Sequence, residues 1–177
     1  MVRAWLALGA VLAMTVGGLS PASADDQLPV RKPGLWEIRI KLTGGAAPTA
    51  MMRHCTDETV DRQMSTLFNP LAPQPCAKTM VRKEGDHYTV EGSCSVDEKT
   101  VKVMSDVSGD FQSAYTVVTE TKIQDDPDSD PTISSMTLEG TYAGACKSGQ
   151  KPGDVMMAGG LKLNVKTMGD FKKLPKR

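Results

Sequence analysis

Apolar and polar residues alternate along most of this chain, and the alternation predicts strands. Trp36, Ile38, Ile40 and Leu42 are interleaved with Glu37, Arg39, Lys41 and Thr43. A period of two buries one face of an extended segment and wets the other. Pro33-Gly34 opens this strand, Gly44-Gly45 ends it, and a short second strand follows over about 50–55. Further on, Tyr88, Val90, Gly92, Cys94 and Val96 share one face, opposite Thr89, Glu91, Ser93, Ser95 and Asp97. Glu84-Gly85-Asp86 joins that strand to one over 77–83, a hairpin with a three-residue loop in which glycine supplies positive φ. Segments 100–107 and 113–123 are β-branched and split by Gly109-Asp110, so they read as another hairpin. A long strand over 133–146 carries Met136, Leu138, Tyr142 and Cys146 on one face. A last strand follows Leu161, Leu163 and Val165.

One stretch breaks the period. Val60, Met64, Leu67 and Phe68 recur at helical spacing, behind Thr56 and Asp57, either of which can cap the first turn. Asn69-Pro70 stops the helix. The pattern therefore predicts a mainly all-β fold. Seven or eight strands run as an antiparallel meander, forming a curved sheet or partly closed barrel, with one short inserted helix covering it.

Residues 1–24 read differently. Arg3 precedes an apolar run from Trp5 to Leu19, and Ala22-Ser23-Ala24 supplies an A-x-A cleavage site. This is the pattern of a cleavable secretory signal peptide. The run is short of the roughly 20 residues a membrane span needs; an uncleaved anchor is the competing reading. Residues 25–177 then form a single β-domain of 153 residues. They hold 20 basic and 21 acidic residues, a balance with no field to attract nucleic acid or acidic substrates. No stretch of them is apolar enough to cross a bilayer as a helix.

All four cysteines, Cys55, Cys76, Cys94 and Cys146, lie in this domain. An exported chain with an even count predicts two disulfides. A zinc site would want C-x-x-C or paired histidines, and neither is present. With a three-residue loop, Lys83 faces His87 and Cys76 faces Cys94, which leaves Cys55 to pair with Cys146.

The search for chemistry is short. His54 and His87 are the only histidines, and no G-x-S-x-G elbow accompanies a serine. A hydrolase built on two carboxylates needs only spatial proximity, so it stays as an alternative. Asp126-Pro127-Asp128-Ser129-Asp130 has the look of a calcium loop, but Pro131 and Thr137 stand where an EF-hand wants Gly and Glu. Met51-Met52-Arg53-His54 and Met156-Met157 offer soft ligands for copper(I), although methionine also fills cores in a domain poor in aromatics. Trp36 reads first as a core anchor. If the sheet curves into a cleft, Trp36, Tyr88 and Tyr142 can line a pocket for an apolar molecule. The basic end, 172–177, reads as a solvated tail or a contact for anionic lipid.

Lys32-Pro33-Gly34-Leu35-Trp36-Glu37 resembles the opening motif of a large group of exported proteobacterial proteins classed only as a domain of unknown function. Cys55 before a short helix, Cys76 and Cys94 around a hairpin, and the segment from Cys146-Lys147-Ser148-Gly149-Gln150-Lys151-Pro152-Gly153 to Asp154 are similar too. The resemblance covers about Pro33 to Val165. It implies an antiparallel β-domain in the Gram-negative periplasm, and it implies no catalytic residues. The expectation is a non-enzymatic binding module, without metal or cofactor, for an apolar small molecule or an envelope partner. A structural or interaction protein of the envelope is the alternative from another class.

Overall fold

Among the described residues nine strands join edge to edge in one open antiparallel sheet. In this computed structural model residues 27–43, 49–65, 78–96, 99–126 and 128–168 are described. The leader, Cys76, the expected end of the helix at Leu67 to Pro70 and the basic tail lie outside them. The strands are β1 (Gly34–Thr43), β2 (Ala50–Thr56), β3 (Lys78–Glu84), β4 (His87–Val96), β5 (Lys99–Gly109), β6 (Ala114–Gln124), β7 (Thr132–Tyr142), β8 (Asp154–Met157) and β9 (Lys162–Asn164). Two short helices accompany them, α1 (Glu58–Ser65) and α2 (Val165–Met168).

The order across the sheet is β3-β4-β5-β6-β7-β1-β2-β8-β9. Strands β3 to β7 are the expected meander. The β1–β2 hairpin is not part of that run: β1 pairs with β7, and β2 with β8. The sheet does not close, because β3 and β9 remain as edges. Strand β8 falls in a stretch with no long alternation. Val165, expected in a strand, instead begins α2.

The β3–β4 hairpin is one residue tighter than the expected three-residue loop. Glu84 pairs with His87 and Lys83 with Tyr88, which leaves Gly85-Asp86 as a two-residue turn. Gly85 sits at φ 69°, the conformation such a turn needs to match the twist of its strands. Cys94 is half-buried and disulfide-bonded. The Cys55–Cys146 disulfide is formed as expected, with Cα atoms 5.5 Å apart.

Pairing puts alternate residues on a common face. Trp36, Ile38, Ile40 and Leu42 of β1 share theirs with His54 and Met52 of β2, Tyr142, Leu138 and Met136 of β7, Tyr115 and Val117 of β6, and Val107 of β5. This is the inner face. The core concentrates at one end of it, around Trp36, Ile38, Val107, Tyr115 and Val117. Each fully buried apolar side chain contributes about 1.5–3 kcal/mol. The opposite face carries ion pairs such as Lys41–Glu139 and Arg53–Glu37.

Three pieces complete the core. Leu28, in the segment before β1, is buried in the same cluster as Trp36, Val90 and Val107. Phe111 reaches the same cluster from the β5–β6 turn, at φ 57°. Asp110 holds that turn: its carboxylate accepts the N–H groups of Gln112, Ser113 and Ala114 and the hydroxyl of Ser113. These bonds hold the carboxyl well below the usual carboxylate range. The third piece is α1. Asp57 caps it, accepting the Val60 N–H at 2.8 Å. Val60 and Asp61 are buried, Met64 is half-buried, and Glu58 and Arg62 pair on the exposed side.

Candidate functional site

A charged cluster lies inside the buried end of the sheet. Arg31 comes from the segment before β1, Asp61 from α1, His54 from β2 and Tyr115 from β6. The Arg31 backbone N–H donates to Asp61 Oδ2 at 2.7 Å, and its Nε donates to Oδ1 at 2.6 Å. Nη2 pairs with the same Oδ1. Nη1 donates to the Tyr115 hydroxyl at 3.0 Å. The guanidinium also lies 5.4 Å and 5.8 Å from the ring centroids of Tyr115 and Trp36, within range of cation–π attraction. The Thr56 hydroxyl approaches Asp61 Oδ1 at 3.4 Å. Both charged partners are buried, so neither can be lost without leaving the other exposed to a low dielectric.

His54 is only 1% exposed and sits 3.3 Å from Arg31, through Nδ1 and Nη2. Burial first, and the Arg31 charge second, pull its pKa down to about 3. The ring is therefore neutral. A guanidinium can only donate, so Nδ1 is the acceptor and Nε2 carries the proton. That Nε2–H is buried and has no hydrogen-bond partner among the described residues. Tyr115 is also buried, which raises the pKa of its hydroxyl against the opposing effect of Arg31.

From this cluster the inner face runs toward an open end. Met52 and Ile38 come next, then Ile40 and Leu138, then Leu42 and Met136. Exposure grows along the way: Ile38 is buried, Ile40 and Leu138 are half-buried, and Leu42 is 53% exposed. Val101, Val103 and Ile123 extend the half-buried apolar surface across β5 and β6. Met157, opposite Met52, is 42% exposed.

The two sequence motifs frame the buried end. Lys32 donates its N–H to the Phe111 carbonyl, and its own carbonyl accepts the Trp36 indole N–H at 2.9 Å. The Lys32 ammonium lies 4.4 Å from the Tyr142 ring centroid. Gly34 sits at φ 141°, where a Cβ would be 2.4 Å from the Gly144 carbonyl and 2.8 Å from the Tyr142 ring. Leu35 is buried and exchanges backbone bonds with residues 143 and 144. In the closing segment Gly153 donates to the Cys55 carbonyl. Asp154 is buried and accepts from the Lys151 N–H, Asn164 and Lys162. Burial alone would raise its pKa, but those bonds hold it down at about 2. Both motifs are thus accounted for by anchoring.

The expected pocket residues join one packed cluster, with Trp36 inside it and Tyr88 and Tyr142 half-buried against it. Trp36 carries no exposed surface and meets Tyr115 and Tyr142 edge-on at 5.3 Å and 5.6 Å. Tyr142 is half-buried beside it. Tyr88 lies farther along the same face, edge-on to Phe111. His87 is exposed, near Asp86 and Asp106. Asp126 and Asp128 are engaged in their own turn. The candidate copper ligands meet where β2 pairs with β8, Met52 facing Met157 and Arg53 facing Met156. Among the described residues no group of three His, Cys, Asp or Glu side chains is placed to hold a metal ion. Arg31 and Asp61 were not foreseen. An arginine in the short polar stretch before the first strand and an aspartate in a first helical turn both read as solvated charges.

The matched family model is that of a protein of unknown function, DUF3617, over residues 31–146. The chain belongs to this family. No curated protein and no solved structure matches it. In this DUF3617 domain the matched span opens at Arg31 of the buried cluster and ends at Cys146 of the disulfide. No helix among the described residues is long and apolar enough to cross a membrane.

Proposed function

We propose that the chain is exported to the periplasm as residues 25–177 and acts there as a non-enzymatic binding module, taking an apolar small molecule on the inner face of its sheet. The observation that carries this reading is the exposure of inner-face side chains. Ile40, Leu42, Met136, Leu138 and Ile123 point the same way as the core yet stay partly open to solvent. Partly exposed apolar side chains continuous with a core are the kind of surface that lines small-molecule sites. Among the described residues the hydrogen bonds of His54 and His87 go to Arg31 and Asp106 rather than to a hydroxyl or thiol, which favours binding over nucleophilic catalysis. The Cys55–Cys146 disulfide suits an oxidising compartment.

The test is native mass spectrometry of protein purified from periplasm, with the N-terminus read in the same spectrum. A mass starting at Asp25 with a retained apolar adduct is expected. A mass retaining residues 1–24 refutes the export reading. Bare protein that also fails to bind dodecanol refutes the ligand reading.

The opposite face supports a second reading, a protein partner. There a shallow groove of about 340 Å³ is lined by Met80, Met104, Glu91, Glu120, Lys102 and Lys122. Met80, Met104, Val118 and Ile133 are all more than 40% exposed on that face. Capture of a partner that is lost on Met104→Glu would favour it.

A further inference from the structure

The Asp61 carboxylate is held as a ligand would be. One face of the Arg31 guanidinium, the Arg31 backbone N–H and the Thr56 hydroxyl all converge on its two oxygens. Arg31 itself is fixed by the Tyr115 hydroxyl and by the Trp36 and Tyr115 rings. A preorganised arginine of this kind is a carboxylate receptor. Beside it lies the buried His54 ring, whose Nε2–H has no acceptor among the described residues. The group now filling the receptor comes from α1, a helix of eight residues that buries only Val60 and Asp61 and half-buries Met64 among its described side chains.

We propose that Asp61 is an internal stand-in for the carboxylate of an amphiphilic ligand, so that a long-chain carboxylate displaces α1 and pairs with Arg31. Its chain then lies along Met52, Ile38, Ile40, Leu138 and Leu42, the inner-face track that leads away from the cluster. A single negative charge matches the single charge of Arg31; a dianionic phosphate would leave a buried charge uncompensated. The Cys55–Cys146 disulfide, three residues before α1, keeps the base of the helix fixed while the rest swings. No covalent step is involved. One ion pair is exchanged for another.

This rests on the inner-face reading proposed above, and the test separates the two. Dodecanoate and dodecanol are titrated by calorimetry into wild type, Asp61→Asn and Asp61→Ala. Dodecanoate is expected to bind the Asp61 variants at least tenfold more tightly than wild type, while dodecanol binds all three alike. Adding Arg31→Met removes the gain for dodecanoate only. If Asp61→Ala is too unstable to titrate, its melting temperature is measured in acetate and in chloride. A rise in acetate alone, absent in wild type, supports the receptor. Dodecanol binding with no preference of the variants for dodecanoate, or no acetate effect, overturns the stand-in and leaves the apolar-ligand reading intact. Failure of both amphiphiles to bind any of the proteins overturns both.

Discussion

Acid destabilisation of this fold should begin near neutrality, and His54 should be its cause. In the folded chain His54 protonates only at about pH 3, because burial and then the Arg31 charge oppose a second cation. In the unfolded chain it protonates near 6.5. The unfolded state therefore binds the proton first as pH falls. The stability this group contributes is complete above about pH 6.5 and is lost progressively down to about pH 3. Each pH unit below 6.5 removes about 1.4 kcal/mol, so the loss between pH 7 and pH 5 is about 2 kcal/mol. This interval spares the carboxylates. Glu139 and Asp154 have lowered pKa values, so their contributions persist until the pH falls below the unfolded carboxylate range. The perturbation is His54→Leu. At pH 7 it removes one guanidinium contact and one unpaired N–H, and the variant should stay within about 1 kcal/mol of wild type. Urea unfolding of both proteins at pH 7, 6 and 5, followed by tryptophan fluorescence, gives the difference. Wild type should lose about 2 kcal/mol relative to the variant across the series. Parallel pH profiles for the two proteins would refute the reasoning and place His54 in a site where a charge is tolerated.

Three further outcomes follow from the geometry. Arg31→Met leaves Asp61 buried without its counter-ion and should cost about 3–5 kcal/mol, most of it recovered in Arg31→Met with Asp61→Leu, as a double-mutant cycle by urea unfolding would show. Gly140→Ala builds a Cβ 2.1 Å from the Tyr115 ring, so it should cost about 1–3 kcal/mol by overpacking and turn the Tyr115 hydroxyl away from Arg31; a wild-type melting curve would contradict this. Replacing Cys55 and Cys146 by Ala opens a link across 91 residues and should cost about 4–5 kcal/mol on the chain-entropy argument, read as a fall in the urea midpoint.

Much of the fold was legible because strands advertise themselves by a period of two. Trp36 to Leu42 and Tyr88 to Cys94 show their inner faces in the sequence, and those faces are the ones the pairing registers assign. Long-range order was less legible. Nothing in β1 says that its second neighbour is β7, since any apolar face fits another; the insertion of the first hairpin beyond the meander is a tertiary choice. Strand β8, four residues long, is too short for alternation to register, and Met156-Met157 invited a reading as ligands rather than as a strand. The tighter β3–β4 turn followed from one residue of ambiguity in Glu84-Gly85-Asp86, where two- and three-residue loops both place glycine acceptably. The buried cluster was hidden for a different reason. Arg31 and Asp61 are 30 residues apart and look like surface charges until the segment before β1 crosses the inner face and α1 folds against it.

The arrangement of these parts bears on which end of the sheet does the work. Both motifs that mark the chain sit at the buried end. Lys32 to Trp36 locks the leading segment to Phe111, Tyr142 and Gly144, and the segment from Cys146 to Asp154 locks β8 and β9 to Cys55. The bonds of these anchors run within the fold: the Lys32 carbonyl holds the Trp36 indole, and the Asp154 carboxylate holds Lys151, Lys162 and Asn164. Among the described residues the buried side-chain atom left unmet is His54 Nε2, between these anchors and the open apolar track. A scaffold that only needed stability would do better with a hydrophobic residue at His54 and with Arg31 and Asp61 replaced by packed side chains, since a buried ion pair seldom outperforms them. The carboxylate receptor proposed above would give that costly polar centre a use, with Arg31 at the head of the apolar track.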